Sequence, residues 1–288
     1  MPTTTENSIC VVHLVRASNG AQPLMRFIQS YKQHRAGIRH TLLYVLKGFD
    51  ERIPSEFEVL LHELPHKRLR VPDIGYDITS YFRAMDAVSE EMVCFLNSFS
   101  EILADEWLLK LHTAALLPGA GAVGATGSYQ GTHANRNLAR AVARLIGQPA
   151  WIQWMLRLPF VAALNMLRHS LTFARFPNPH LRTNAFMLRR STMQSLHPQT
   201  TRSKYRAYAF ESGRNSLTRQ ILKMGKSVYL VGRNGVAYGM GDWRESKTFW
   251  TNGQENLLVS DNQTQRYLAA DSGGRELYSR LAWGPGTH

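Results

Sequence analysis

The residues best equipped for chemistry in this chain sit where apolar runs give way to polar clusters. Met92-Val93-Cys94-Phe95-Leu96 stops abruptly in Asn97-Ser98-Phe99-Ser100-Glu101. Such a run reads as a strand buried on both faces, and the ends of buried strands are where open α/β sheets seat ligands. Asn97, Ser98, Ser100 and Glu101 are therefore expected to face a crevice. Glu211 precedes a helical pattern formed by Leu217, Ile221 and Met224. Its carboxylate could take a proton from a hydroxyl, or it could serve a helix start or pair with Arg214. His180 lies in Pro-Asn-Pro-His, a rigid turn that would fix an imidazole at the crevice rim. Arg16, Lys47, Arg83, Arg182 and Arg214 are cations suited to phosphate oxygens, or to ordinary solvated positions. The eleven histidines show no metal-binding spacing such as His-Glu-x-x-His.

Composition narrows the partner. With 288 residues, 44% of them hydrophobic, the chain can bury a substantial core and is not a disordered segment. A formal charge of +13 and a pI near 10.0 call for an acidic partner: nucleic acid, anionic headgroups or phosphorylated small molecules. The lysines and arginines are spread along the chain with no recognisable reader motif, so nucleic acid is not the expected partner. Cys10 and Cys94 each lie inside an apolar run and are expected as reduced core residues, which implies a reducing, cytoplasmic setting. Met1 to Ser8 is polar and unlike a signal peptide, and no run approaches the roughly 20 apolar residues of a membrane span.

The elements that must position these residues follow from periodicity. Ile9–Val15 and Thr41–Leu46 are predicted strands joined by a helix over Pro23–His34, an order that implies a right-handed crossover and a parallel pair. A short strand at Leu69–Val71 leads through a turn to a helix from Asp77 to Val88, with Asp77 placed to cap it. After the Met92 strand come a helix over Trp107–Leu117, a small-residue strand at Ala122–Ser128, a strand running through Ala185–Leu188, the helix Leu217–Met224, and a last core strand at Ser227–Val231. From Ala134 to Phe176, arginines and histidines interleave with Trp151, Trp154, Phe160 and Leu167. This stretch reads as an inserted helical subdomain, or as a basic amphipathic surface for anionic membrane or acceptor. Residues 233–288 are expected to form a wrapping C-terminal extension with one helix near Thr264–Ala270. The expected organisation is one domain over 1–288 with the 134–176 insertion and this extension.

Taken together, these elements resemble a GT-A-type glycosyltransferase of the family-2-like kind, across Ile9 to about Gly232. Phe95-Leu96-Asn97-Ser98-Phe99-Ser100 stands where that class has an apolar strand ending in Asp-x-Asp. Arg182-Thr183-Asn184-Ala185-Phe186-Met187-Leu188-Arg189-Arg190 resembles its acceptor-side strand, and Phe210-Glu211-Ser212-Gly213-Arg214 with Gly225 resembles its acidic motif, helix and glycine. The resemblance implies an α/β fold with a doubly wound, mostly parallel sheet flanked by helices, and an enzyme moving a sugar from a nucleotide-sugar donor to a glycan or glycolipid hydroxyl, as in bacterial surface polysaccharide synthesis.

The resemblance also assigns roles. Glu211 becomes the general base. Arg16, Lys47, Asp50, Asp73, Asp77, Arg83, Asn97, Ser98 and Ser100 become nucleotide-sugar contacts. His180, Arg182, Asn184 and Arg214 become acceptor or phosphate contacts. The Mg²⁺ or Mn²⁺ of the class requires carboxylates, since hard cations want oxygen anions, yet Asn97 and Phe99 occupy those places. Either cations and backbone N–H groups hold the diphosphate, or Glu101 supplies a displaced ligand, or the domain binds without catalysing. The alternatives to an enzyme are thus a catalytically silent scaffold and a basic nucleic-acid-binding module. A location on the cytoplasmic face of a membrane fits the class and the charge.

Overall fold

The computed structural model describes residues 8–131, 167–198 and 203–285. In chain order the strands are β1 (Ile9–Arg16), β2 (Thr41–Lys47), β3 (Lys67–Val71), β4 (Met92–Leu96), β5 (Glu101–Ile102), β6 (Ala120–Gly124), β7 (Gly127–Ser128), β8 (His180–Leu181), β9 (Ala185–Arg189), β10 (Ser227–Val231), β11 (Ala237–Tyr238) and β12 (Val259–Ser260). The helices are α1 (Gln22–Gln33), α2 (Ser55–Leu61), α3 (Asp77–Ala84), α4 (Trp107–Ala115), α5 (Arg190–Gln194), α6 (Lys204–Ser212), α7 (Leu217–Lys223), α8 (Asn262–Ala269) and α9 (Ser272–Trp283).

Eight strands form one sheet in the order β11-β10-β6-β9-β4-β1-β2-β3. β1 pairs in parallel with both β2 and β4, β2 with β3, and β6 with β10. β9 runs antiparallel between β4 and β6, and β11 is an antiparallel edge. The chain winds outward from β1 to β3 and then returns to β4 on β1's other side. That reversal creates the topological switch point at which open sheets bind ligands. Because β9 is antiparallel, its first residues lie beside the last residues of β4 and β6, so Arg182, Thr183 and Asn184 arrive at the same end as Asn97.

Alternation along each strand divides the core between the two faces. Cys10, Val12 and Leu14 pack with α3, α6, α7 and the C-terminal segment, while Ile9, Val11 and Val15 pack with α1, α2 and α4. Both cysteines are buried and free. The glycines of β6 are packing sites: a Cβ on Gly121 would lie 2.4 Å from Ile221 Cγ2, and one on Gly124 would lie 2.5 Å from Leu181 Cδ2.

Several expectations are corrected. The Ala122–Ser128 strand is two strands, β6 and β7, because the chain leaves the main sheet after Gly124 to pair with β8. Asp77 is the first residue of α3 and not its cap; Tyr76 holds the cap position with no side-chain bond. Glu211 precedes the Leu217 helix, α7, as expected, but it sits in the last turn of a further helix, α6, that the pattern did not show. The C-terminal extension holds two helices, not one, since Gly273 and Gly274 in the first turn of α9 hide its pattern while Asp271 caps it through Gly274 N–H. Of the 134–176 insertion, only residues from 167 onward fall among those described; Trp151, Trp154 and Phe160 lie outside them.

Candidate active site

A cavity of about 600 Å³ opens at the C-terminal end of the parallel strands. Its floor joins Asp77, Asn97, His180, Arg182, Asn184 and Glu211. The turn after β4 is tied to the residues before β9: Asn97 N–H donates to Asn184 O at 2.8 Å, and Ala125 N–H to Ala185 O at 3.0 Å. The Thr126 hydroxyl donates to Asn184 Oδ1 at 2.6 Å, and the Tyr81 hydroxyl of α3 to Thr183 O at 3.3 Å. Three elements far apart in sequence thus fix one short polar segment.

Glu211 is half-buried at the cavity wall, where Oε1 accepts Thr183 N–H at 3.1 Å. Burial pushes its carboxyl above the ordinary value, the Arg182 charge pulls it down, and the Asp261 charge pushes it up again. Asp77 is likewise raised, by burial first, with Lys47 and Arg16 opposing. His180 Nδ1 bonds Asn178 O at 2.8 Å, and burial lowers its pKa to about 4, so the ring is neutral at pH 7. Its other nitrogen is then free of a proton and can only accept.

The remaining candidates form two groups. Arg16 grips Asp73 in a bidentate pair, with Nη2 at 3.0 Å from Oδ1 and 3.2 Å from Oδ2. Lys47 is fully buried; Nζ donates to Gly75 O at 2.6 Å and lies 3.9 Å from Asp73 Oδ1. Burial lowers its pKa while Asp77 raises it. Arg83, in the last turn of α3, adds to the charge felt by Lys47. These residues flank Asp77 beyond the cavity proper. Others lie apart: Arg214 is exposed, donating to Ser170 O at 3.1 Å. Asp50 is also exposed, its carbonyl bound by Arg70. Ser98 and Ser100 are buried beneath the turn, Ser100 Oγ lying 3.1 Å from Asn97 Oδ1.

The strand-end turn does not fit a divalent cation. Asn97 Oδ1 accepts Phe99 N–H at 3.0 Å and is consumed by its own turn. Glu101, the displaced-ligand candidate, is engaged elsewhere, with Arg26 Nε at 2.9 Å and Gln265 Nε2 at 2.7 Å. Among the described residues no group of three or more His, Cys, Asp or Glu side chains is arranged to hold a metal ion.

The architecture is an α/β fold whose mostly parallel eight-stranded sheet is flanked by helices, with an antiparallel strand at its centre. No family model and no curated protein matches the chain. Among solved structures it is similar to the mannosyltransferase PcManGT from Pyrobaculum calidifontis in complex with GDP-Man and Mn²⁺, at 12% identity and a TM-score of 0.45, over 83% of this chain and 61% of that one. It is also similar to S. aureus TarS, at 14% identity and a TM-score of 0.33, over 40% of this chain and 21% of that one. The TarS 1-349 structure in complex with UDP-GlcNAc gives 14% identity and a TM-score of 0.32, over 40% of this chain and 33% of that one. The chain thus spans less than two thirds of the length of these structures.

Sequence reading missed much of the cavity wall. Phe249 and Trp250 come from the C-terminal segment, and Tyr205 and Tyr208 from α6; Asp261-Asn262-Gln263, which the sequence offers as a polar run able to close over a ligand or form a turn, lines the wall beside them. Trp250, at φ 48°, belongs to a turn in which Lys247, Asn252 and Gln254 also adopt left-handed backbone, conformations that non-glycine residues hold only where the surroundings enforce them. Here Trp250 Nε1 donates to Gln263 O at 3.1 Å and Trp283 Nε1 to Phe249 O at 2.7 Å. One signal for Glu211 was available: it is the only carboxylate in the sequence between Glu106 and Asp242, a span rich in arginine and lysine.

Proposed function

We propose that this chain transfers a glycosyl group from a nucleotide-sugar donor to a hydroxyl of a glycan or glycolipid, with Glu211 as general base. The observation that carries the reading is Glu211 itself: a half-buried carboxylate of raised pKa, oriented by Thr183 N–H, lining a cavity at the switch point of a GT-A-like sheet. As the acceptor oxygen bonds to the anomeric carbon, Glu211 takes the hydroxyl proton. The bond from that carbon to the diphosphate breaks, and the nucleoside diphosphate leaves with the electron pair. A base poised upward by burial suits this step, for proton transfer to a positioned side chain contributes about 10²–10⁴ in rate. On this reading the donor lies across Asp77 and Asn97 towards Arg16, Lys47 and Arg83, whose charges balance the diphosphate without a cation at the strand-end turn.

The acceptor and setting belong to the same proposal. Leu167 and Leu171 are exposed on a helical stretch that also carries Arg168, with Arg175 close behind, a combination suited to an anionic membrane surface. No helix among the described residues is long and apolar enough to cross a membrane. Peripheral association on the cytoplasmic face, in surface polysaccharide synthesis, is the setting that matches. A second reading, a silent sugar-nucleotide scaffold, is favoured by Asn97 Oδ1 being turned inward and by Phe99 beside it.

The test is a thermal-stability titration with UDP-, GDP- and dTDP-sugars, with and without Mg²⁺ or Mn²⁺, followed by turnover of the donor that stabilises. Metal-independent stabilisation and release of the nucleoside diphosphate are expected. Glu211→Gln is expected to keep the stabilisation and lose roughly 10²–10⁴ in turnover. Stabilisation without turnover on any acceptor supports the scaffold. No nucleotide effect, with salt-sensitive binding to RNA or DNA instead, overturns both.

A further inference from the structure

The C-terminal segment places a second carboxylate close to Glu211. Asp261 is buried at the start of α8, and its two oxygens do different work. Oδ1 caps the helix, accepting Gln263 N–H at 3.0 Å and Thr264 N–H at 2.9 Å. Oδ2 lies 2.9 Å from Arg182 Nη2. The Arg182 guanidinium rests on the Phe249 ring at 4.3 Å, so its plane is set by two contacts from the same segment. Its Nη1 is buried without a hydrogen-bond partner. Arg182 and Glu211 line the same cavity, and Glu211 is bonded to the very next residue, Thr183. Among the described residues the ion pair of Arg182 is nevertheless with Asp261 and not with Glu211.

We propose that Asp261 is a positioning residue: by holding Arg182 from the far side, it keeps the guanidinium from closing an ion pair on Glu211 and so preserves Glu211 as a base. The inference rests on Glu211 having that role. A carboxylate locked to arginine is stabilised in its charged form and becomes a weak proton acceptor. Here the burial of Glu211 raises its pKa, Arg182 lowers it, and the Asp261 charge raises it. The other groups facing Glu211 are Asp77 at the start of α3 and Tyr81 one turn later, both of which feel its charge. The C-terminal segment thereby completes the chemistry of a site built otherwise from the sheet.

Asp261→Asn tests this, because Asn caps a helix as well as Asp does while removing the charge that holds Arg182. The readout is the Glu211 titration, followed by ¹³C resonance of labelled glutamate carboxyls with Glu211→Gln as the assignment control. Asp261→Asn is expected to lower the Glu211 pKa by roughly one unit and to move the acid limb of the turnover profile down by the same amount, whatever fall in Tm follows from loss of the buried pair. Arg182→Met is expected to move the resonance titration the other way. An unchanged Glu211 titration in Asp261→Asn overturns the inference, as does a uniform loss of turnover with a lowered Tm and no shift of the acid limb. The separate assignment of Glu211 as base fails on a different result, retained turnover in Glu211→Gln, so the two failures are distinguishable.

Discussion

Arg182 shows how much of this site depends on one side chain. It stands between Asp261 and Glu211, stacks on Phe249, and is largely buried, with 13% of its side chain exposed against 1% for its partner Asp261. Removing one member of a buried ion pair typically destabilises by about 3–5 kcal/mol, because the other charge is left uncompensated. Arg182→Ala is therefore expected to lower the free energy of unfolding in urea by about that amount; a change below about 1 kcal/mol would mean that the pair is solvated in solution. The identity of Arg182 as a candidate was legible in the sequence, but its partner was not. The two are separated by 79 positions, and no local periodicity connects them.

At the scale of elements, β6 and α7 depend on an absence of side chains. Ile221 of α7 and Lys226 ahead of β10 occupy the space that a Cβ on Gly121 would need, at 2.4 and 2.7 Å. Gly121→Ala must push α7 off the sheet or strain it, and overpacking of this kind costs about 1–3 kcal/mol. A fall in Tm of about 2–4 °C per kcal/mol is expected for a chain of this size, read by calorimetry; an unchanged Tm would show that α7 shifts freely. The sequence marked the small-residue strand as a place of close approach, without telling whether backbone, ligand or side chain makes it. Local pattern also located β1, β2, β4 and β10 closely, since an apolar run between turn residues carries its own boundaries. It missed α6, the helix that carries Glu211, because the buried residues of α6, Ala209 and Phe210, are confined to its C-terminal end and leave no periodic stripe along it.

For the whole molecule, burial of titratable rings sets the response to acid. His13 lies in the middle of β1, stacked on Phe27 at 3.7 Å, and burial lowers its pKa to about 3; His180 falls to about 4. In the unfolded chain both titrate near 6.5. The unfolded state therefore binds more protons below that value, and stability falls as pH drops from about 6.5, by up to about 1.4 kcal/mol per pH unit for each ring. Glu211 and Asp77 act in the opposite sense, since their raised pKa values make the folded state take protons first. His13→Phe keeps the stack on Phe27 and removes one titration. Relative to the parent, its stability is expected to rise by about 2 kcal/mol between pH 6.5 and pH 5, measured by urea midpoints. A difference that does not vary with pH would show that His13 is protonated or hydrated within the fold.

By itself the sequence determined an α/β chain with a sheet wound about Ile9–Val15 and Met92–Leu96, core cysteines, and a strand end that stops in small polar residues. These follow from hydrophobic periodicity and residue chemistry, both local properties. Only the tertiary structure decided which polar groups meet. It spent Asn97 Oδ1 on its own turn, sent Glu101 to Arg26 and Arg214 to Ser170, and brought Phe249, Trp250 and Asp261 from the C-terminal segment to face Glu211. The reason is physical: a buried charge must find its counter-charge in space, and the chain supplies it from wherever packing brings one within about 3 Å.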